Sequence, residues 1–376
     1  MLRRLWLGTS TAHLADAQEA LLRRFLPSEL FETGRVRTFK SHGLNAVELL
    51  PKDGGQHART VVLAHGYGNG LGFYFRNLAD LAALPGTRVL AFDWLGWGLS
   101  DRPPCRGTPR RVTSFSFCTS KFNDPATAEE FFIDSFEQWR QEAMAPEEPF
   151  LLCGHSLGGF LSAKWALRHG ARASSGLRSL VLLSPVGLPA HPADAISFRE
   201  APSNGGKRSR LLPLVDCLWS RNFTPQMVLR AMGPRAWPWT LRSVRRRFRD
   251  VGLSEDDSTL LARYLFHLSV APASGEYALN SVLQPLLSES AGPQVFARLP
   301  LAGRLGPELP PNLPIEILFG DSDWLATKVT LETAEELQVE RRDTARVSIV
   351  PTAGHYLHLE NPKAILAVLE DQLERM

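Results

Sequence analysis

The sequence has little cysteine: there are four among 376 residues, with no CxxC pair and no spacing typical of metal ligands. A disulfide framework and a zinc site are therefore not expected, and no metal or other cofactor is implied. We interpret Cys105, Cys118, Cys153 and Cys217 as buried thiols in a reducing compartment.

The sequence also lacks a long apolar run, since none reaches the roughly 18 residues that a membrane span needs. Any membrane contact is therefore expected to be peripheral. Arg3 and Arg4 precede only a short apolar stretch without an obvious cleavage site, which argues against a secretory signal. We expect a cytoplasmic, peripherally membrane-associated protein. A mitochondrial presequence is the alternative, although Asp16 and Glu19 count against it.

One amphipathic helix is predicted near the N-terminus. Residues 14–26 place Leu14, Leu21 and Phe25 on one helical face, and Pro27 ends the pattern. We favour a helix that packs on the core over one that seeks a membrane surface.

Hydrophobic periodicity divides the rest of the chain. Short apolar strands alternate with helices from residue 59 to 189 and again from residue 312, which predicts a mostly parallel sheet covered by helices on both faces. The stretch between them is irregular and rich in Pro, Arg and Trp, and we interpret it as a lid insertion. The predicted strands are residues 60–64, 88–92, 150–153, 180–183, 315–319 and 347–350. The predicted parts are an N-terminal helical segment at 1–36, a core at 37–189 and 312–376, and the lid segment at 190–311.

Residues 154–158 read Gly-His-Ser-Leu-Gly and match G-x-S-x-G, the pattern of a nucleophile elbow. A predicted strand precedes the motif and a predicted helix follows it, as the elbow requires. The turn leaves no room for side chains at Gly154 and Gly158, and it exposes the Ser156 hydroxyl at the carboxyl end of the sheet. The motif predicts the α/β-hydrolase fold with Ser156 as a nucleophile.

A serine nucleophile needs a histidine base, and the base needs a carboxylate that orients it. His355 follows the last predicted strand and precedes the final helix, which suits the base, with His358 as the alternative. The acid follows the strand ILFG. The usual placement in this fold, three residues after the glycine, selects Asp323, and Asp321 is the alternative.

The segment His65-Gly66-Tyr67-Gly68 follows the first core strand. Its glycines, Gly66 first, allow backbone N–H groups to approach a developing oxyanion, and we expect the amides of Tyr67 and Leu157 to be the donors. A nucleotide loop is the rival interpretation. The spacing in GYGNGLG does not match G-x-G-x-x-G and no P-loop lysine follows, so nucleotide binding is discounted.

The chain resembles the α/β-hydrolase-domain lipid enzymes that include cardiolipin-specific deacylase, the N-acylphosphatidylethanolamine lysophospholipase and a lipid-droplet lipase coactivator. The resemblance covers most of the chain. Its motifs are HGYGNGLGFYFRNLADL, DWLGWGLSDRP, EEFFIDSFEQWR, GHSLGG, LVLLSPVGLP, MVLRAMGP, SGEYALN, FGDSDW and GHYLHLENP.

This resemblance implies a serine hydrolase that cleaves acyl esters of phospholipids or lysophospholipids through an acyl-enzyme. The alternatives are a lysophospholipid (lysophosphatidic acid) acyltransferase and a non-catalytic scaffold that regulates a lipase. The coactivator branch lacks the nucleophilic serine, so the presence of Ser156 favours an enzyme. Family members carry H-x-x-x-x-D where this chain has His355 and Glu360, and we interpret Glu360 as a carboxylate at the N-terminus of the helix that begins at Pro362.

Positive charge is concentrated in residues 199–249. This stretch contains twelve Lys and Arg residues and only two acidic residues, which gives it a formal charge of +10, whereas the whole chain carries +3. This composition, with its tryptophans, suits the headgroup region of an anionic membrane or lipid droplet. A solvated charged face is the alternative, and nucleic acid is not an expected partner because no binding motif accompanies the charge. The predicted contacts are Arg245, Arg246, Arg247, Trp237 and Trp239.

Overall fold

The apolar strands predicted from the sequence pair with one another in a single large sheet. A computed structural model describes residues 10–52, 59–103, 122, 124–200, 207–289 and 292–376, without the side chains of 173 and 207–210. Within these residues the strands are β1 Val36–Ser41, β2 Leu44–Leu49, β3 Arg59–Ala64, β4 Thr87–Phe92, β5 Phe150–His155, β6 Leu177–Leu183, β7 Ile196–Ser197, β8 Leu283–Ser288, β9 Gly292–Ala297, β10 Ile315–Gly320 and β11 Ala345–Val350.

The large sheet has eight strands in the order β1-β2-β4-β3-β5-β6-β10-β11. The pairs β1–β2 and β2–β4 are antiparallel, and all the others are parallel. Ala64 at the end of β3 lies opposite Gly154 near the end of β5. The loops that follow these two strands therefore meet at the carboxyl edge of the sheet.

Helices cover both faces of this sheet. Val62 packs in one hydrophobic cluster together with the helices at Pro125–Ala143 and Leu157–Trp165, whereas Val61 and Leu63 pack in a second cluster with the helices at Leu78–Ala83 and Pro362–Glu374. The mostly parallel, doubly covered sheet confirms the predicted fold class. The helices are α1 Thr11–Phe25, α2 Ser28–Glu32, α3 Leu78–Ala83, α4 Pro125–Ala143, α5 Leu157–Trp165, α6 Lys207–Ser220, α7 Pro225–Met232, α8 Ala236–Arg247, α9 Glu255–Val270, α10 Leu279–Val282, α11 Leu305–Glu308, α12 Lys328–Glu340, α13 Leu357–Glu360 and α14 Pro362–Glu374.

The lid segment is more regular than its sequence predicted. It contains helices α6 to α11, and its strands form a small antiparallel sheet in the order β7-β8-β9. The sequence pattern did not predict these elements, because helices with several Pro and Arg residues show no clean apolar period. In α6, for example, Pro213 lies inside the helix.

Helix α1 packs on the protein and does not project from it. Leu14, Leu21 and Leu22 are buried, and the Arg24 Nε donates to the Asp257 carboxylate of helix α9 at 2.6 Å. The N-terminal helix therefore rests partly on the lid segment. Residues 1–9, which carry the start of the alternative presequence, lie outside the described residues.

The cysteine prediction holds only in part. Cys153 is fully buried in β5, where burial raises the pKa of its thiol, whereas Cys217 on α6 is only half-buried. Cys105 and Cys118 lie outside the described residues. Across the part of the chain that the structure describes, no helix combines the length and the apolar character that crossing a membrane requires.

Candidate active site

Ser156 occupies a strained turn between strand β5 and helix α5. Its φ is 55° and its ψ is −119°, a conformation that L-residues rarely adopt outside functional turns. The residue is the N-cap of α5, and its own N–H donates to the Leu183 carbonyl at 2.8 Å. The turn leaves the Ser156 side chain partly exposed while its neighbours in β5 are buried.

Three glycines make this turn sterically possible. A Cβ on Gly154 would lie 2.5 Å from the Gly158 carbonyl oxygen, and a Cβ on Gly158 would lie 2.3 Å from the His65 carbonyl oxygen. A Cβ on Gly66 would lie 3.0 Å from the Ser156 Cβ. The glycines therefore let the elbow and the loop after β3 pack backbone against backbone.

The structure brings His355, and not His358, to the serine. His355 Nε2 lies 3.1 Å from Ser156 Oγ. His358 is buried, and its ring packs 5.0 Å from the Tyr74 ring. Burial, and then the nearby His355, lower the pKa of His358 to about 3, so His358 is a neutral core residue at physiological pH.

A second buried histidine supports the backbone of His355. His155 Nε2 lies 2.8 Å from the His355 carbonyl oxygen, so this ring nitrogen carries the proton and donates it. Burial is the main reason that the pKa of His155 falls well below its ordinary value. The residue therefore remains neutral and acts as a fixed hydrogen-bond donor behind the His355 loop.

The two candidate acids differ sharply in their surroundings. Asp323 is 7% exposed and its Oδ1 lies 3.2 Å from His355 Nδ1. Burial alone would raise the pKa of Asp323, but hydrogen bonds from His355 and Ser184 outweigh it and hold the pKa below its ordinary value. Asp321 is exposed and accepts the N–H groups of Thr352 and Ala353 instead. Asp323 is thus the carboxylate aligned with the histidine.

Ser184, which lies directly after β6, was not predicted as a site residue. It is fully buried, its hydroxyl donates to Asp323 Oδ2, and its Oγ accepts the His355 Nδ1–H at 2.8 Å. Ser184 therefore bridges the acid and the base. Only its position after a predicted strand signals a site residue.

The proposed oxyanion donors lie on two sides of Ser156. Leu157 is the first residue of α5, so its N–H has no acceptor within the helix. Tyr67 lies in the loop after β3, and its hydroxyl donates to Gln226 of α7 at 2.8 Å. The loop is thus tied to the lid segment, a link that no local sequence pattern indicates.

A cavity of about 580 Å³ opens over Ser156 and His355. Its wall is largely apolar, and the lid segment contributes much of it. Trp239, Val244 and Phe248 line the cavity together with Val186 and Leu157 of the core. The Ser156 hydroxyl thus borders a largely apolar space that suits an acyl chain.

The five predicted membrane contacts differ in their surroundings. Trp239 is 68% exposed at the cavity, whereas Trp237 is half-buried against Phe266, with ring centroids 5.9 Å apart. Arg245 pairs with Glu255, and Arg246 is exposed. Arg247 lines the cavity and contacts Tyr356. Trp237 is thus half-buried, whereas the other four predicted contacts are exposed, and the membrane contact stays a prediction.

Glu360 does not serve the N-terminus of α14, so that interpretation was wrong. Asn361 is the N-cap and accepts the Ala364 N–H, whereas the Glu360 carboxylate accepts the Gly354 N–H. Glu360 therefore braces the turn that carries His355. In the described part of the chain, no three His, Cys, Asp or Glu side chains are grouped as a metal ion would require.

Comparison with known proteins agrees with this fold. The model of the α/β-hydrolase fold family matches residues 59–209. The chain is 32% identical to the 1-acylglycerol-3-phosphate O-acyltransferase of Arabidopsis thaliana, over 95% of this chain and 79% of that protein. It is 30% identical to the (lyso)-N-acylphosphatidylethanolamine lipase of Homo sapiens, over 84% of this chain and 80% of that protein.

Among solved structures, a bacterial membrane phospholipase A described as a virulence factor shares the fold. Its TM-score is 0.55 with 18% identity, and the match covers 97% of this chain and 90% of that chain. At this level of identity the similarity concerns the fold alone.

The two aspartates provide a test of the site. We expect Asp323→Asn to lower the turnover of a soluble activated ester by at least about 1,000-fold, because the amide neither orients the imidazole nor stabilises its charged form. Asp321→Asn is the matched control and should stay close to wild type, since an amide oxygen can still accept the Thr352 N–H. Steady-state kinetics with both variants, with circular dichroism to check folding, decide the matter. The opposite ranking would assign the acid to Asp321.

Proposed function

The chain belongs to the α/β-hydrolase family that contains these lipid lipases and acyltransferases, and on that premise we propose that it cleaves acyl esters of phospholipids or lysophospholipids. The observation that carries the proposal is the connected series Ser156, His355 and Asp323, which opens onto an apolar cavity. An apolar space above the nucleophile suits a fatty acyl chain better than a small polar ester.

The residues support a two-step acyl transfer. His355 Nε2 takes the Ser156 proton as Oγ attacks the ester carbonyl, and the amides of Tyr67 and Leu157 hold the resulting oxyanion. His355 then gives that proton to the departing alcohol, leaving the acyl group on Ser156. Water, deprotonated by His355, releases the fatty acid and restores the serine.

Acyl transfer to a lysophospholipid is the second candidate, and the name of the Arabidopsis relative favours it. The same acyl-enzyme serves both reactions, and a lysophospholipid hydroxyl replaces water in the second step. A non-catalytic, lipase-regulating scaffold is the third candidate. A scaffold would not require His355 Nε2 to lie 3.1 Å from the hydroxyl of Ser156, nor Ser156 to adopt a strained backbone conformation.

Ser156→Ala tests the central claim. We expect hydrolysis of a mixed lipid extract to fall by roughly 1,000-fold or more, because the base and the oxyanion donors act on a nucleophile that is no longer present. Mass spectrometry of the products that wild type releases from the extract also shows which lipid is cleaved. A fluorophosphonate probe should label wild type and the control Ser220→Ala, and should not label Ser156→Ala. Absence of labelling in wild type would favour the scaffold, and a variant that keeps a substantial part of the lipid hydrolysis would contradict the mechanism.

Glu360→Gln tests whether Glu360 has a separate role in acyl transfer. The glutamine oxygen can still accept the Gly354 N–H, so we expect hydrolysis to stay within a few fold of wild type. Acylation of lysophosphatidic acid should change in parallel, because one acyl-enzyme serves both reactions. Rates are compared with and without the acceptor lipid. Selective loss of acylation would instead identify a separate acyltransferase role for Glu360.

The substrate enters from a lipid surface in this proposal, and exposed apolar side chains support it. Trp239 and Trp324 line the cavity and are 68% and 60% exposed. Leu211 and Leu214, one turn apart on α6, are 56% and 52% exposed. Indole rings favour the headgroup region, so we propose that this side contacts an anionic membrane or lipid droplet from the cytoplasm. The mitochondrial alternative stays a prediction.

Vesicle co-sedimentation tests the surface contact. Trp239 and Arg246 lie seven residues apart on the same side of α8, so we combine Trp239→Ser with Arg246→Glu. We expect binding to phosphatidylserine-containing vesicles to fall by at least about tenfold, because one interfacial indole is lost and one charge is reversed. Val339→Ser, which removes an exposed apolar side chain of α12, is the control. Binding that ignores salt and anionic lipid content, or survives the double change, would contradict the contact.

A further inference from the structure

Arg247 is directed differently from the other arginines at the end of α8. Its guanidinium carbon lies 4.9 Å from the centroid of the Tyr356 ring, and its Nη1 lies 3.4 Å from the Tyr356 hydroxyl oxygen. The side chain thus reaches the wall of the catalytic cavity, which it helps to line. Among the cavity-lining residues of the described chain, Arg247 is the one Lys or Arg.

The surroundings of the Arg247 charge differ from those of Arg245 and Arg230. Arg245 pairs with Glu255 and Arg230 pairs with Glu276, but no carboxylate within the described ranges lies within 4.0 Å of the Arg247 guanidinium. Burial raises the pKa of Glu360, and the Gly354 amide and nearby charges including Arg247 oppose that shift. Arg247 therefore favours the charged form of Glu360, but the Glu360 carboxylate accepts the Gly354 N–H and forms no ion pair with Arg247.

The Tyr356 ring connects the Arg247 guanidinium to the catalytic histidine of the proposed mechanism. The centroid of the Tyr356 ring lies 5.5 Å from that of the His355 ring, so the guanidinium and the base both lie next to the same aromatic ring. In the proposed mechanism, His355 gives its proton to the departing alcohol. An anion bound by Arg247 therefore belongs to that alcohol, because the acyl chain needs the apolar wall formed by residues such as Val244 and Phe248.

We propose that Arg247 binds the phosphate of the alcohol that leaves the acyl group, and that it makes the enzyme selective for glycerophospholipids over neutral acylglycerols. This inference rests on the proposed function, since it assigns a residue to one part of that substrate. A guanidinium suits the role because its parallel N–H groups match two phosphate oxygens. In acyl transfer, the phosphate of the acceptor would occupy the same position.

The test compares two soluble esters that differ only in the phosphate: hexanoylglycerol and hexanoylglycerol phosphate, both kept monomeric so that no lipid surface is present. We expect Arg247→Gln to lower kcat/KM for the phosphorylated ester by roughly 10- to 100-fold, as loss of a hydrogen bond to a charged group does, and to leave the neutral ester unaffected. Arg247→Lys should lower kcat/KM for the phosphorylated ester by a smaller factor, because lysine keeps the charge but lacks the parallel N–H groups of a guanidinium. Arg263→Gln, an exposed arginine of α9 outside the cavity, should match wild type on both.

Each other outcome has a separate meaning. Equal losses on both esters would show that Arg247 only positions Tyr356 and His355, and would overturn the inference, as would no loss on either. A loss seen with anionic vesicles but not with the monomeric phosphorylated ester would assign Arg247 to the membrane surface. Wild type that cleaves neither ester nor any lipid would contradict the proposed function itself.

Discussion

The close backbone contact between the β5–α5 turn and the end of β3 is the constraint on which the site depends. Gly158 and His65 approach so closely that any side chain at position 158 would collide with a carbonyl oxygen. This contact places the hydroxyl of Ser156 beside the loop that carries Tyr67. Parallel strands deliver both segments to the same edge, and the loops after β6, β10 and β11 then bring Ser184, Asp323 and His355 to that edge.

Sequence reasoning succeeded where local constraints are strong. Buried parallel strands are continuous apolar runs, so all six predicted strands are present in the large sheet. The antiparallel strands β1 and β2 were not identified, because β1 is half-exposed and β2 buries Glu48 against Arg88, a pairing that only the fold creates. The choice of Asp323 over Asp321 was left open for the same reason, since the amides that engage Asp321 come from a later loop.

The arginine-rich stretch shows why charge counted along a sequence predicts little about individual residues. Arg230 is held against Glu276, with Thr224 also donating to that carboxylate, and so anchors α7 in the lid segment. Arg245 forms a surface pair, and Arg246 and Arg247 are both exposed, but Arg247 also lines the cavity and contacts Tyr356. The end of α8 thus supplies one surface-paired, one solvated and one cavity-lining cation. Their order along the sequence does not distinguish them.

The hydrogen bond from Tyr67 to Gln226 joins the oxyanion loop to α7. Movement of α7 away from the core would break this bond and loosen the loop that presents the Tyr67 amide. Thermodynamic linkage is reciprocal, so a bound tetrahedral anion that orders the loop also holds α7 in place. A transition-state analogue that engaged the Tyr67 amide would therefore also make α7 harder to displace from the core.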